Sequence, residues 1–204
     1  IRSHSSMSGG SLCIPASSLI HKEFCKNVAL DFKEGKPECW VELGGAVFSL
    51  MVDLDIPAEV SQSDITVIVG VLCRSVRECY PSAAPSQLTC NMYAVTVEPG
   101  SGGRHGVHLV WRDVFVTPLL AVQIRYAAIH RLRSALPDIT LNWEAVYDEQ
   151  IYRSPTLRVP LCDKMTKCPA KAPTPHLDSC PQCLGSGRVL ARRVYMPVRC
   201  CTAA

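Results

Sequence analysis

"FSLMVDLDIP", residues 48–57, is an apolar run that closes on two aspartates one residue apart. The overlapping stretch 46–52, "AVFSLMV", has the make-up of a buried strand. In an extended chain alternate side chains share a face, so Asp53 and Asp55 project together, about 6.5–7 Å apart along the strand. Two like charges on one face of a largely apolar strand are costly unless something positive stands between them, and a hard divalent cation meets that need with oxygen ligands. A solvated strand end is the plainer reading of an isolated D-x-D. A third carboxylate elsewhere decides between them.

The chain around this stretch has 204 residues, enough for one domain of ordinary size, or one with a small appendage. Hydrophobic residues make up 48%, yet no apolar run approaches the ~20 residues of a membrane span and no secretory signal is visible, so a soluble, intracellular chain without a membrane role is expected. A net charge of +3 is mild and excludes little. Its distribution says more: "RVLARRVYMPVR", 188–199, carries four arginines and no acid. Twelve cysteines suggest a disulfide scaffold only in a small secreted protein. Cys13, Cys25, Cys39, Cys73, Cys79 and Cys90 are scattered in contexts that read as core, where a reduced thiol packs as a small hydrophobe. The other six crowd into the last 43 residues.

Periodicity organises the rest. From Asp64 to Tyr80 the residue types favour a strand, but Ile65, Ile68, Val69, Leu72 and Val76 keep helical spacing, with Ser63 as cap and Pro81 as stop, so a helix is predicted. "CNMYAVTVE" (90–98) and "VHLVWRDVFV" (107–116) read as strands joined by the glycine-rich turn "PGSGGRHG". Thr117-Pro118 opens a helix to Leu136, with Leu120, Ile124, Ala128, Leu132 and Leu136 as its apolar stripe and Arg125, Arg131 and Arg133 on a solvated face. "AVYDEQIYR" (145–153) reads as strand and turn, and "TLRVPL" (156–161) as a short strand. The expected architecture is α+β: a flexible Ser/Gly-rich segment 1–12, a main domain 13–164, and a Cys/Pro-rich module with a basic tail, 165–204, too polar to hold a core of its own.

That last module offers Cys168, His176, Cys180 and Cys183. Cys180-Pro-Gln-Cys183 is a C-x-x-C knuckle whose tight turn lets both thiolates reach one tetrahedral Zn²⁺, with Cys168 and His176 completing the set. Cys162 competes with Cys168 for the first position. Cys200 and Cys201 are too close together to share a tetrahedron comfortably. A closed site of four protein ligands is structural rather than catalytic. A thioredoxin-type role is disfavoured because no βαβ pattern surrounds the motif.

The third carboxylate is Asp148, in "VYDEQIYRSPTLRVPLCDK", where an acid is followed by Ile-Tyr, then Leu-Arg-x-Pro, then Lys164. This run resembles the third motif region of archaeo-eukaryotic primases, especially the primase-polymerase, herpesvirus and large-DNA-virus branch. "VDLDI" (52–56) is similar to their first motif, and "GVHLVW" (106–111) to their second, a histidine with a small residue two places earlier. Order and approximate spacing agree across 48–164, and the Cys-His-Cys-Cys segment follows where this branch carries a zinc knuckle. One departure is Gly106, where the second motif usually has serine, which removes a hydroxyl beside His108. His105 is a minor competitor for the histidine.

The resemblance implies a catalytic core with a sheet like that of an RNA-recognition module. It implies that Asp53, Asp55 and Asp148 hold Mg²⁺ or Mn²⁺, and that His108, Arg158 and Lys164 contact the phosphates of an incoming nucleoside triphosphate. Arg104 and Arg112 lie near the same strand without motif support. Single-stranded DNA is the implied template, a replicative helicase and other replisome proteins are the implied partners, and the nucleus or a viral replication compartment is the implied location. A D-x-D glycosyltransferase accounts for the first motif alone. A catalytically inactive zinc protein that binds single-stranded nucleic acid is the alternative from a different class, separable by its indifference to metal and nucleotide.

Overall fold

The computed structural model describes residues 3–7, 10–14, 18–36, 38–95, 97, 102–168, 188–190 and 194–201. Its elements are β1 (His4–Ser6), β2 (Ser11–Leu12), α1 (Ser18–Lys33), β3 (Trp40–Leu43), β4 (Phe48–Pro57), α2 (Gln62–Cys79), β5 (Cys90–Val95), β6 (Arg104–Val116), α3 (Pro118–Ala135), α4 (Trp143–Val146), α5 (Gln150–Arg153), β7 (Thr156–Arg158), β8 (Met165–Lys167), β9 (Arg188–Leu190) and β10 (Met196–Cys201). The chain forms two compact units, Ile1–Leu43 with Arg158–Val194, and Gly44–Leu157 with Tyr195–Ala204. The opening segment is not merely flexible, since β1 pairs with both β2 and β3. Part of the basic tail belongs with the D-x-D strand, since β10 pairs with β5.

In the second unit β4, α2, β5, β6 and α3 follow one another as β-α-β-β-α, and an antiparallel sheet runs in the order β10-β5-β6-β4. β4 continues through both aspartates because its alternation never breaks. Phe48, Leu50, Val52, Leu54 and Ile56 are buried on one face, while Asp53 and Asp55 are half-buried on the other. The buried face shares one hydrophobic cluster with α2 and α3.

α2 confirms the helical reading over the strand-like residue types. Its five periodic residues, Ile65, Ile68, Val69, Leu72 and Val76, are all buried, each contributing about 1.5–3 kcal/mol relative to exposure. The cap is Ser61 rather than Ser63: the Ser61 hydroxyl oxygen accepts from the Asp64 N–H at 3.1 Å, so the helix begins earlier than the spacing suggests. α3 begins at Pro118, capped by Thr117, whose Oγ1 accepts from the Leu120 N–H at 3.3 Å. Its buried stripe is Ala121, Ile124, Arg125, Ala128, Ile129 and Leu132, leaving Leu120 exposed and Leu136 only partly covered. Arg125, expected in solvent, is therefore a core residue.

The first unit is smaller. Its sheet runs β2-β1-β3-β7, with β7 at the boundary where the chain passes from one unit to the other. His4 packs on Phe24 of α1 with ring centroids 4.7 Å apart, and Phe24 meets Trp40 edge-on. Val28, Val159 and Cys162 form the core beneath, and burial pushes the Cys162 thiol up to about 11. Cys162 thus packs as a hydrophobe. Of the six scattered cysteines, Cys39, Cys73 and Cys90 are buried, whereas Cys13, Cys25 and Cys79 are exposed, contrary to the core reading. β8 pairs with β9, Lys167 opposite Arg188. Among the described residues no helix is long and apolar enough to cross a membrane.

Candidate active site

The antiparallel register of β4 against β6 puts Asp53 opposite His108 and Asp55 opposite Gly106, while β5 puts Tyr93 opposite His108 from the other side. Alternation along β6 sends Gly106 and His108 to the face of the two aspartates. His108 Nε2 lies 3.5 Å from Asp53 Oδ1, and the histidine is only 3% exposed. His105, the competitor, has the opposite parity. It is buried on the far face, where its Nδ1 accepts from the Val97 N–H at 3.2 Å. The second-motif histidine facing the acids is therefore His108.

Asp148 reaches the same place from a different direction. β4 is an edge strand of the four-stranded sheet, and Tyr147 bridges to Leu54 along its outer side. The Asp148 N–H donates to the Asp53 carbonyl at 3.0 Å, which brings the third acid's backbone against the first. The stretch 145–153, expected as strand and turn, is instead two short helical turns, α4 and α5, hinged at this bridge. Two side chains hold the hinge. Arg125 donates from Nε to the Tyr147 carbonyl at 2.9 Å, from Nη2 to the Glu144 carbonyl at 2.8 Å, and pairs through Nη1 with Glu149 at 3.2 Å. Tyr152 donates to the Met51 carbonyl of β4 at 2.8 Å, so its hydroxyl accepts from Tyr147, 3.0 Å away. Burial pushes both phenols above their ordinary range, which keeps the two protons this chain needs. The Ile-Tyr of the third motif is thus an anchor: Ile151 is buried and Tyr152 pins the segment to β4.

Tyr195, missed in the sequence, closes the face. Its ring stacks on His108 with centroids 3.5 Å apart and planes 18° off parallel. Gly106 makes room for it: a Cβ at position 106 would fall 2.9 Å from Tyr195 Cζ and 3.1 Å from Cε1, and closer still to the hydroxyl oxygen. The phenol hydroxyl of Tyr195 occupies the space that a side chain at 106 would need. The small residue before His108 was the available signal, but nothing in the sequence named its neighbour.

Arg158, at the end of β7, and Lys164, exposed, belong to the first unit, as does Cys168 after β8. Arg104 is exposed and shares the parity of Gly106, while the Arg112 carbonyl accepts from the Ser49 hydroxyl at 3.1 Å. His176, Cys180 and Cys183 lie outside the described residues. Cys200 and Cys201 lie in β10, in register with Asn91 and Cys90.

The donors that β4 and Asp148 offer are carboxylate oxygens on half-buried residues, a chemistry that suits Mg²⁺ or Mn²⁺ and not a soft metal. Two of the carboxylates are engaged locally: Asp53 faces His108, and Asp148 Oδ1 accepts from the Gln150 N–H at 2.8 Å. Among the described residues no three of His, Cys, Asp and Glu stand close enough together to hold one ion. Asp53 and Asp55 thus share a face of β4, and Asp148 joins them through a backbone contact.

Against known families, the model described as the C962R protein N-terminal AEP domain matches residues 3–173, most of the chain. No curated protein matches it.

Proposed function

The chain belongs to the AEP, or archaeo-eukaryotic primase, family of the C962R N-terminal domain, and from that premise we propose that it is a template-directed nucleotidyltransferase, a DNA primase or primase-polymerase that makes or extends primers on single-stranded DNA. The observation that supports the reading is a backbone arrangement: Asp53 and Asp55 share one face of β4, and the Asp148 N–H donates to the Asp53 carbonyl at 3.0 Å.

In this reading Asp53, Asp55 and Asp148 hold Mg²⁺ or Mn²⁺, which when bound supplies a lowered pKa for the attacking 3′-hydroxyl and charge neutralisation for the leaving pyrophosphate. His108 stands 3.5 Å from the Asp53 carboxylate through Nε2, and in this reading it meets an incoming triphosphate from beside the acids. Arg158 and Lys164 supply cationic donors for the nucleotide's phosphates, Arg158 by its planar fork and Lys164 as a point charge. Cys168, His176, Cys180 and Cys183 hold a structural Zn²⁺ in the segment between β8 and β9. Template contact is mainly electrostatic and independent of sequence. A helicase and other replisome proteins remain the partners this activity calls for.

The test supplies the full chain with a homopolymeric single-stranded DNA template, complementary nucleotides and Mn²⁺ or Mg²⁺, and looks for new oligonucleotides and for extension of an annealed primer. Asp53→Ala, Asp55→Ala and Asp148→Ala are each expected to lower incorporation by at least about 100-fold, while binding of single-stranded DNA survives. Near-normal incorporation by one variant removes that residue from the ligand set. Tight DNA binding with no synthesis under any metal establishes the inactive zinc-protein reading instead.

A further inference from the structure

We propose that Tyr195 is a positioning residue of the acidic face, its ring fixing the His108 imidazole and its hydroxyl supplying the polar group that position 106 lacks. The inference deepens the reading above and rests on it. Three observations on different residues agree. The Tyr195 ring lies flat on His108 at 3.5 Å and is itself buried. Gly106 has no side chain, and the space a Cβ would need is taken by the phenol end of Tyr195. Gly106 also stands opposite Asp55 in the β4–β6 register, two residues from His108, which stands opposite Asp53, so Tyr195 contacts the cross-strand neighbours of both aspartates.

The physical consequence is a division of labour. An imidazole can rotate about its side-chain bonds, and its 3.5 Å approach to Asp53 is useful only in one orientation. A parallel aromatic ring in van der Waals contact removes the alternatives at the cost of few rotatable bonds. The ring comes from the residue just before β10, which β5 holds in register, so the stack is built on the sheet that carries Asp53 and His108. Tyr195 and Gly106 then form a matched pair: the glycine is compatible with the tyrosine, and a side chain at 106 is not.

The pair predicts reciprocal behaviour. Gly106→Ser is expected to lower the melting temperature and the incorporation rate, because the new Cβ collides with the phenol. Tyr195→Ala is expected to fold, to lose roughly 10-fold or more in kcat as the imidazole is freed, and to change KM for nucleotide much less. Gly106→Ser combined with Tyr195→Ala is expected to recover stability over Gly106→Ser alone and part of the lost kcat, since the hydroxyl returns from position 106 without a collision. Tyr195→Phe keeps the ring and separates the two contributions: it is expected to hold most of the activity lost in Tyr195→Ala.

A second measurement does not depend on catalysis. The carbon-bound imidazole protons of His108, assigned by their absence in His108→Ala, are expected to be shifted upfield by the tyrosine ring in the wild type and in Tyr195→Phe, and to move back in Tyr195→Ala. If the wild type makes no oligonucleotide, the catalytic reading falls while this shift and the stability cycle still decide whether Tyr195 holds His108. The proposal is overturned if the imidazole signals are the same with and without the ring. It is also overturned if a folded Tyr195→Ala variant of an active enzyme keeps wild-type kcat, or if Gly106→Ser is as stable and active as the wild type.

Discussion

Arg125 shows how one side chain prepares a site it never enters. It is 2% exposed and spends its donors on two carbonyls, those of Glu144 and Tyr147, and on the Glu149 carboxylate. All three acceptors lie on the short segment that carries Asp148. Arg125→Met keeps bulk but strips the Glu144 and Tyr147 carbonyls of their guanidinium donor and leaves Glu149 to Arg153 and Tyr126, and removing one member of such a buried arrangement costs about 3–5 kcal/mol. Arg125→Lys is not a conservative replacement, because a single ammonium cannot span three acceptors in a planar fork. Urea unfolding is expected to show a lowered midpoint for both variants. Incorporation, measured well below the transition where the protein remains folded, is expected to fall further than binding of single-stranded DNA does. Equal activity in Arg125→Met and wild type would mean that the Asp148 hinge is held by Tyr152 alone. In the sequence Arg125 was indistinguishable from Arg131 and Arg133, which do sit near the surface and pair with Glu78 and Glu144. Helical spacing placed it one position from the stripe, and only the buried carbonyls of a distant segment drew it inward.

At the scale of elements, legibility followed the range of the interactions involved. β4, α2 and α3 were readable because alternation, 3.6-residue spacing and a Thr-Pro start are local signals. The stretch 145–153 was not, because its two short helical turns exist to meet Leu54 and Met51 across a long sequence gap. β10 was hidden for the same reason: "MPVRCC" carries a proline and reads as a tail until β5 offers it an edge. Of the candidate site, the three acids and His108 were named from their motifs, whereas Tyr195 was not, since its partner residues are set by β10's register. That strand also has a protective role. Without it β5 would present a free edge rich in apolar side chains, with Cys90 and Met92 buried beside it. Truncation before Met196 is therefore expected to convert a monodisperse protein into higher oligomers or aggregate on size-exclusion chromatography, while leaving far-ultraviolet helical signal largely intact. A truncated chain that stays monodisperse would show that β10 is dispensable for the sheet and serves only to deliver Tyr195.

Across the whole molecule, the candidate chemistry is distributed over two units: the three acids, His108 and Tyr195 belong to one, and Arg158, Lys164 and the Cys-His-Cys-Cys segment to the other. Extending a primer needs an incoming nucleotide and a 3′-hydroxyl that the duplex already holds. Starting a strand also requires a second free nucleotide to be held on the template, and immobilising it sacrifices far more translational and rotational freedom. An accessory clamp therefore matters most at initiation. The Cys-His-Cys-Cys segment suits such a clamp by its sequence, because Arg188, Arg192 and Arg193 follow it closely. If Zn²⁺ folds this segment, native mass spectrometry will count one tightly bound ion, and Cys180→Ser with Cys183→Ser will remove it. The double variant is expected to lose primer synthesis by at least about 100-fold while retaining much of the extension of an annealed primer, because only the first reaction bears the entropic cost of two free nucleotides. Both reactions are measured on one preparation, with circular dichroism showing that the helices of the catalytic unit persist. Normal initiation by the zinc-free variant would reduce the segment to a structural staple, and loss of both reactions in a folded protein would place it within the catalytic site itself.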